Sequence, residues 1–308
     1  MTHTDGEIAD APEVTTTGRP TVPALEARLG QRTPVLDHGF VRLIDYMGDD
    51  GAVVQAARVS YGRGTRSRRD DRGLIRYLVR HRHTTPLEMC EIKLHVKLPI
   101  FVARQWIRHR TASVNEISGR YSVLDREFYL PRPEDLAPQA QNNRQGRQAQ
   151  AIPPEQADAV LRLLRDDAER CYRDYQELLN EDDAGAVLDP ARSGLARELA
   201  RINLTLGYYT QWYWKVDLHN LLHFLALRLD AHAQREIRVY GEAIAELVAA
   251  WVPLCWEAFQ DYRMNAVELS RPELLAVQAL LRGERPDLDA LGLSKGEQTE
   301  LRQKLGLP

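Results

Sequence analysis

Apolar and polar residues alternate along one segment in the first third of the chain, and apolar residues recur with a helical period on either side of it. From Cys90 to Leu98 every second residue is apolar, which is typical of a strand with one buried face. Residues 70–82 carry apolar side chains on one helical face, and Pro99 opens a predicted helix that runs to Arg110. The pattern therefore predicts a helix, a half-buried strand and a second helix in succession.

Shorter elements are predicted around this segment. Residues 40–44 are predicted to form a strand, and residues 51–60 a helix that the side chain of Asp50 caps. Thr85 and Glu88 have the spacing of a capping box with a proline at the first helical position. At least one helical turn is therefore expected there.

The second half of the chain is predicted to be mostly helical. Residues 155–181 place their apolar side chains on one stripe of a long amphipathic helix. The aromatic-rich run over residues 204–216 favours a strand, and Asp217 is expected to cap the helix that follows it. Further helices are predicted over residues 191–202 and 233–260.

Three segments depart from the pattern of the rest and define the domain organisation. Residues 1–34 have no sustained apolar period and are predicted to be a disordered or loosely attached arm. One domain is predicted over residues 35–265, with a surface loop at 138–154, and residues 266–308 are predicted to be a helical tail. The predicted fold class is α+β: a single mixed domain with a central antiparallel sheet, long helices and a helical second half. The chain has no GxGxxG motif, so a Rossmann fold is not expected.

Composition and charge exclude several classes of protein. The 308 residues, 44% of them apolar, are enough to bury a substantial core. A net charge of -3 argues against general adhesion to nucleic acid or membranes. Cys90, Cys171 and Cys255 form no CxxC pair, so neither a disulfide framework nor a thiolate zinc site is expected. The chain has no apolar run of about 20 residues and no signal-peptide hydrophobic region, and a cytoplasmic protein is predicted.

The strongest chemical signal is an arginine-rich segment from Arg108 to Ser122, RHRTASVNEISGRYS. Its guanidinium, hydroxyl and amide groups suit an anionic ligand with many polar atoms. On a helix, Arg108 and Arg110 would point roughly 200° apart. The segment is therefore predicted to contact two ligands.

Ser118, Gly119 and Arg120 in this segment resemble a phosphate cradle. They combine a hydroxyl, a backbone that a ligand can approach closely and a guanidinium that can pair with two oxygens. From spacing alone, a solvated basic turn paired with Glu116 is an equal alternative. Binding of nucleic acid is a weaker alternative, because the segment has few aromatic side chains on which bases could stack.

Arg228 is predicted to face the core. Apolar residues stand three, four and seven positions before it, which is the spacing of one helical stripe. A buried guanidinium requires a carboxylate or a bound anion, because leaving it unpaired would cost several kcal/mol. An ion pair with Asp230 or Glu236, or a side chain that extends to solvent, are the alternatives.

Two other constellations carry less weight. His219 and His223 lie one helical turn apart and His232 follows, but no HExxH motif accompanies them, so no metal site is predicted. Cys90 shares the apolar face of its strand and is expected to fill the core, and Ser118 lacks a local histidine base for nucleophilic attack. A metal-dependent hydrolase and a nucleotide- or RNA-binding protein remain the alternative functions.

The string RHRTASVNEISGRY is similar to the RHR-x7-S signature of flavin-dependent thymidylate synthases. The strings ARVSY at 57–61, HTTPLE at 83–88 and PIFVARQW at 99–106, with the region 201–236, resemble the same family, over roughly residues 36–262 in all. The resemblance implies an enzyme that methylates dUMP to dTMP: NADPH reduces FAD, methylenetetrahydrofolate supplies the carbon, the reduced flavin supplies hydride, and tetrahydrofolate is released. It also implies a homotetramer whose subunits share active sites.

The resemblance further implies roles for individual residues. Arg228 would be catalytic, contacting the uracil ring and helping to ionise its N3. The phosphate of dUMP would be held by residues 117–120 of a neighbouring subunit. Asp217 and His219 stand where many relatives carry Asn and Arg, and His83 is a further candidate for the flavin pocket. The residues implied to bind dUMP are Gln105, Trp106, Ile107, Arg108, Glu116, Ile117, Ser118, Gly119, Arg120, Arg201 and Arg228. The residues implied to bind FAD are Thr85, Arg108, His109, Arg110, Glu116, Asp217, Leu218, His219 and His223.

Overall fold

The computed structural model describes residues 18–59, 70–140 and 146–307. The chain divides into two compact units, one from Met1 to Ala258 and one from Phe259 to Pro308. The first unit contains a sheet together with helices, and the described residues of the second unit form only helices and turns. The α+β class predicted from the sequence is confirmed.

One sheet of five strands forms the centre of the first unit. Its strands are β1 (Arg32–Val35), β2 (Gly39–Met47), β3 (Glu91–Pro99), β4 (Ser113–Glu116) and β5 (Tyr209–Asp217). They lie in the order β1-β2-β3-β5-β4, and every neighbouring pair is antiparallel. The strand that the alternating pattern predicts, β3, is central: Leu94 is paired with Leu43 of β2 and with Trp214 of β5.

The helices follow the predicted pattern in most places. Their bounds are α1 (Pro23–Glu26), α2 (Asp50–Val59), α3 (Asp71–Arg80), α4 (Ile100–Trp106), α5 (Pro154–Leu179), α6 (Arg197–Ala200), α7 (Leu218–Arg228), α8 (Arg235–Trp251), α9 (Pro253–Phe259), α10 (Arg271–Leu281) and α11 (Lys295–Lys304). Short 3-10 turns lie at Leu87–Met89, Pro133–Asp135 and Arg201–Asn203, and a π turn at Gln260–Met264. The helix predicted over 233–260 is divided into α8 and α9, because a proline begins α9 and has no N–H to continue α8.

One face of the sheet carries the core. The side chains of Leu94, Val96 and Leu98 on β3 are fully buried, as are Trp212 and Trp214 on β5 to within 2%. Trp106 of α4 and Phe224 of α7 pack against Trp214, and Tyr240 of α8 packs against Trp106. The ends of these three helices are thereby fixed relative to the sheet, and the candidate site is built at those ends.

The helix predicted over 191–202 is wrong for residues 191–196, and only α6 and the start of the 3-10 turn at Arg201–Asn203 form within it. The residues before α6 wrap around the end of α5, where Asn180 adopts a left-handed conformation with φ 58°. Its side-chain amide donates to the carbonyl oxygens of Asp189 at 2.8 Å and Arg192 at 2.9 Å. This segment caps α5, and its carbonyl groups are used for that contact instead of for a helix of their own.

The predicted cap of α2 is also wrong by one residue. Asp49, and not Asp50, accepts the hydrogen bond from the Ala52 N–H at 2.8 Å. Asp50 instead accepts from the N–H groups of Leu254 and Cys255 at 2.8 and 2.9 Å, in the first turn of α9. Its carboxylate therefore joins the starts of two helices that are distant in sequence.

The predicted disordered arm over residues 1–34 is wrong for its second part. Leu25 of α1 is fully buried, the Val22 N–H donates to the hydroxyl of Tyr46 at 2.7 Å, and β1 pairs with β2. One buried leucine and the hydrogen bonds of an edge strand hold this segment, and neither produces an apolar period in the sequence. Residues 1–17 lie outside the described residues.

The second unit contains α10 and α11, both within the segment predicted as a helical tail. Each helix begins with a capping box, formed by Ser270 with Glu273 and by Ser294 with Glu297. The small core between them is formed by Ala276, Leu293 and Leu301. In the part of the chain that the structure describes, no helix has the length and apolar character that a membrane crossing requires.

Candidate active site

Helix α4 leads the arginine-rich segment out of the core and ends at Trp106. The N–H of His109 donates to the carbonyl of Trp106 at 2.9 Å, which closes the last turn. Arg108 and Arg110 follow the helix and are exposed. Their predicted placement on opposite sides of one helix is therefore wrong, because the chain has to turn here to reach the sheet edge as β4.

Trp106 and Leu218, which the resemblance assigns to dUMP and FAD, are core residues. Trp106 is 1% exposed and its ring lies 5.1 Å from that of Trp214 and 4.7 Å from that of Phe224. Leu218 is fully buried, and its N–H donates to the carbonyl of Cys90 at 2.8 Å. Neither side chain lines the cavities described below, so both are assigned to the core.

Arg228 lies at the end of α7, where its guanidinium reaches α4. Its Nη2 donates to the carbonyl oxygen of Gln105 at 3.1 Å. Its Nε is buried and has no hydrogen-bond partner among the described residues. Burial lowers the pKa of Arg228 below its ordinary value, which is the mark of a charge held partly away from water.

Neither carboxylate considered as a partner for Arg228 serves as one. Asp230 Oδ1 lies 2.9 Å from Nδ1 of His232, and Glu236 forms an ion pair with Arg147. Within the described ranges, Arg228 thus has no salt bridge to an acidic side chain. A half-buried cation in this state favours a bound ligand with acceptor atoms.

A cavity of about 850 Å³ lies beside Arg228 and Gln105. One wall is residues 231–235, which connect α7 to α8, and another is formed by described residues between 134 and 149. The cavity has the size expected for a ligand of nucleotide dimensions. The structure therefore brings together two of the residues implied to bind dUMP, one on each of two helices.

A second cavity, of about 350 Å³, lies at the start of β5, and Ile117, Gly119 and Arg201 from the predicted phosphate site line it. Glu116 accepts a hydrogen bond from the hydroxyl of Thr210 at 2.6 Å. The Arg201 side chain lies 3.2 Å from where a Cβ on Gly119 would stand. A Cβ at this position would require the Arg201 side chain to shift by a few tenths of an ångström.

Next to this cavity, Ser118 and Arg120 form the exposed part of the cradle. The Ser118 hydroxyl oxygen lies 3.4 Å from both the backbone nitrogen and Nε of Arg120. Arg197 supports the turn from behind by donating to the carbonyl of Tyr121 at 2.9 Å. The predicted donor set is thus assembled at the surface, and the described residues that line the two cavities have none in common.

His109 and His223 form a pair beside Phe224, close to Arg228. The ring centroids of the two histidines are 5.6 Å apart, and His109 lies 5.0 Å from Phe224. Burial, together with the positive charges of Arg228 and His223, lowers the pKa of His109 to about 4. His109 is therefore neutral at neutral pH, with one ring nitrogen as donor and the other as acceptor.

The remaining residues implied to bind FAD surround the start of α7. Asp217 caps this helix as predicted, accepting from the Asn220 N–H at 2.9 Å, and His219 is half-buried in the first turn. Thr85 and His83 are exposed. The capping box predicted at Thr85 is absent, because the turn that follows is a 3-10 turn without a side-chain cap.

Cys90 and the histidines of α7 were considered from the sequence for other chemistry. Cys90 is fully buried, and burial together with the charges of Asp49 and Asp50 raises the pKa of its thiol to about 12. Its assignment to the core is confirmed, because a protonated, enclosed thiol is a poor nucleophile. Across residues 18–59, 70–140 and 146–307, no three His, Cys, Asp or Glu side chains are grouped as a metal site.

Sequence reasoning missed Gln234 and Arg147, and it treated Glu236 only as a possible partner of Arg228. Gln234 lines the large cavity and hydrogen-bonds Gln105. Glu236 is 2% exposed and lies one turn before the fully buried Tyr240 on α8. The reasoning applied to Arg228, a charged residue on an apolar helical stripe, would have identified this carboxylate.

The fold is similar to that of a pyrimidine nucleotide methylase of known structure. The solved structure of the UMP/dUMP methylase PolB from Streptomyces cacaoi, bound with 5-Br UMP, is 33% identical to this chain with a TM-score of 0.63. The match covers 76% of this chain and 99% of PolB. The structure of PolB bound with 5-Br dUMP has the same TM-score of 0.63.

Sequence relatives define the family more narrowly. A family model described as thymidylate synthase complementing protein matches residues 42–254. The flavin-dependent thymidylate synthase of Rickettsia bellii is 57% identical over 289 residues, 94% of this chain and 98% of the relative. That of Gluconobacter oxydans is 61% identical over 285 residues, 92% and 91% of the two chains. The chain belongs to the flavin-dependent thymidylate synthase family of methyltransferases, as the RHR-x7-S signature indicated.

Proposed function

We propose that the protein converts dUMP to dTMP in the cytoplasm, using FAD as the flavin, NADPH as its reductant and methylenetetrahydrofolate as the carbon donor. The observation that carries the proposal is the guanidinium of Arg228, which has a buried Nε without a partner among the described residues and lines a cavity of about 850 Å³. The carbonyl oxygens of a uracil ring are acceptors to which this guanidinium can donate hydrogen bonds. FAD, NADPH and the folate follow from the family resemblance.

Arg228 is the catalytic residue of this proposal. Its charge is permanent, and its Nη2 is oriented by the carbonyl of Gln105. A fixed guanidinium against the uracil ring stabilises the anion formed when N3 loses its proton, and this raises the electron density at C5. C5 is the atom that forms the new bond to carbon, so the protein's contribution is orientation and electrostatics.

The phosphate of dUMP is assigned to Ser118, Gly119, Arg120 and Arg201. We place it on a neighbouring subunit, in a homotetramer with shared sites, because one chain does not bring these residues and Arg228 into one cavity. An exposed apolar side chain, that of Ile202 at 75% exposed, lines the second cavity, and Leu206 nearby in sequence is 66% exposed. Burial of such side chains against another copy of the chain would stabilise the assembly.

The residues around His109 fit a flavin. When bound, FAD supplies the hydride that completes the methyl group. The neutral imidazole of His109 presents a donor and an acceptor without a competing charge, and the exposed guanidinium groups of Arg108 and Arg110 suit an anionic pyrophosphate. His223, next to His109, extends this polar surface along α7.

The purified protein is expected to be yellow or to take up FAD stoichiometrically, and to form dTMP from dUMP when NADPH and methylenetetrahydrofolate are supplied. An absorption spectrum during FAD titration measures the first and product analysis the second. A colourless protein that remains without flavin after native titration would refute the proposal. If the protein takes up FAD but forms dTMP at a rate that does not depend on NADPH, only the assigned reductant is refuted.

The variant Arg120→Ala is expected to weaken dUMP binding by about ten- to a hundredfold and to leave FAD binding within about twofold. The reason is that charge-assisted hydrogen bonds to phosphate contribute roughly 1.5 to 3 kcal/mol. Titration of each ligand separately measures the two effects. Arg104→Ala, which removes another exposed guanidinium at the end of α4, is the matched control and should change neither. Equal losses for dUMP and FAD would show that Arg120 does not serve the phosphate.

A further inference from the structure

A buried carboxylate, that of Glu236, is the centre of a hydrogen-bond network next to the large cavity. Both of its oxygens accept from Arg147. It also accepts from the Tyr129 hydroxyl at 3.1 Å and from the side-chain amide of Gln234 at 2.8 Å. Burial alone would raise the pKa of Glu236, but the hydrogen bonds from Arg147 and Gln234 and the charge of Arg147 hold it below its ordinary value. The group is therefore a fixed, ionised acceptor.

An ionised carboxylate determines which way the neighbouring amides point. Because it has no proton to donate, Gln234 must direct its NH2 group toward Glu236 and its carbonyl oxygen away from it. That oxygen accepts from the side-chain NH2 of Gln105. Gln234 binds the NH2 group of Gln105 and leaves the carboxamide oxygen of Gln105 available. That oxygen can accept from an O–H or N–H group in the cavity that Gln105 lines.

Arg147 connects this network to the predicted surface loop. Its Nη1 donates to the carbonyl oxygen of Asp135 at 2.7 Å, while its Nη2 binds Glu236. Asp135 in turn pairs with Arg235 at 2.9 Å. Described residues of the predicted loop also line the cavity, namely Ala140, Gly146, Gln148 and Ala149. Arg147 thus joins this part of the loop, which forms part of the cavity wall, to the first turn of α8.

We propose that Arg147 and Glu236 are positioning residues for the nucleotide: through Gln234, their ion pair fixes the carboxamide of Gln105 with its oxygen toward the ligand. dUMP has two donors for such an acceptor, the 3′-hydroxyl and the ring N3–H. The backbone carbonyl of Gln105 also accepts a hydrogen bond from Arg228. The backbone and the side chain of Gln105 are therefore both held in place before the ligand binds. This preorganisation lowers the cost of binding. The proposal rests on the proposed function.

The first test compares Arg147→Met with Arg132→Met in the full-length enzyme. Both remove a guanidinium from the same stretch of chain, but Arg132 pairs with Glu134 and Asp135 at 3.3 and 3.0 Å and does not contact Glu236. Arg147→Met is expected to raise the dissociation constant of dUMP about tenfold, as for loss of one oriented hydrogen bond, and Arg132→Met to leave it unchanged. Arg147→Lys should recover part of the loss. FAD content should be the same in all three.

A second variant separates positioning from folding. Gln234→Ala leaves the ion pair between Arg147 and Glu236 in place and breaks only the connection to Gln105, so it is expected to weaken dUMP binding about as much as Arg147→Met. In a Gln105→Ala background, neither substitution should weaken dUMP binding further, because both act through the missing side chain. If the losses multiply in that background, or if Gln234→Ala binds dUMP as the unmodified enzyme does, the positioning role is refuted.

Failure of the proposed function gives a different result. An unmodified protein that binds no dUMP refutes the substrate, and with it the positioning of that substrate. An unmodified protein that binds dUMP, with Arg147→Met binding it equally well, refutes the positioning role alone. If Arg147→Met has a lower melting temperature but an unchanged affinity for dUMP, the positioning role is also refuted, because the ion pair then contributes only to stability.

Discussion

Replacement of Arg228 by lysine is expected to slow the formation of dTMP from pre-reduced enzyme by a factor on the order of ten to a thousand, as for removal of one oriented electrostatic donor. Lysine keeps the positive charge but loses the planar arrangement of donors. In the structure, Nη2 of Arg228 donates to the carbonyl of Gln105 at 3.1 Å, while Nε has no partner among the described residues. Single-turnover methylation measures the effect.

Reduction of the flavin by NADPH is the internal control for this variant, because that step needs no contact with Arg228. It should proceed at nearly the normal rate. A guanidinium with only a structural role would give the opposite pattern, with a lower melting temperature and normal turnover of the folded fraction. A destabilised but fully active Arg228→Lys enzyme would therefore contradict the catalytic assignment.

Replacement of Trp106 by alanine is expected to lower the free energy of unfolding by about 3 to 5 kcal/mol, the usual cost of removing a large buried aromatic side chain. Trp106 is 1% exposed, and its ring packs on the rings of Trp212, Trp214 and Phe224 at centroid distances of 5.7, 5.1 and 4.7 Å. These contacts connect α4 and α7 to the sheet. Urea denaturation of the flavin-free protein measures the loss.

The control for Trp106→Ala is Tyr121→Ala, which removes an aromatic ring that is 72% exposed. It is expected to change the free energy of unfolding by less than about 0.5 kcal/mol. Trp106→Phe should retain most of the stability, since it keeps an aromatic ring in the same place. If Trp106→Ala unfolds like the unmodified protein but no longer binds dUMP, the side chain contacts the ligand and its assignment to the core is wrong.

Local patterns predicted the parts of the fold whose cause is local. The alternation from Cys90 to Leu98 identified β3 because one face of that strand is fully buried and the other is half-buried as far as His95. The apolar stripe over 155–181 identified α5, and Asp217 was recognised as the cap of α7 because a cap acts within three residues. These elements also carry or support much of the site.

The errors have causes that are distant in sequence. β4 was missed because its four residues have no apolar alternation and are held by pairing with β5. The segment over 191–202 was predicted as a helix because nothing local shows that it caps α5 through Asn180. Arg228 was placed correctly on a buried stripe. The role of Glu236 was missed, because it depends on Arg147, which is 89 residues away in sequence. Such partners become visible only when the chain is folded.

The division of the candidate site between two cavities of one chain has a consequence for genetics. On the shared-site proposal, a chain with a damaged Arg120 still offers an intact Arg228, and a chain with a damaged Arg228 still offers an intact Arg120. When two such alleles are expressed in one cell, mixed assemblies contain sites built from the two undamaged halves. Two alleles that are each inactive alone are therefore expected to complement one another, whereas two alleles damaged in the same half are not.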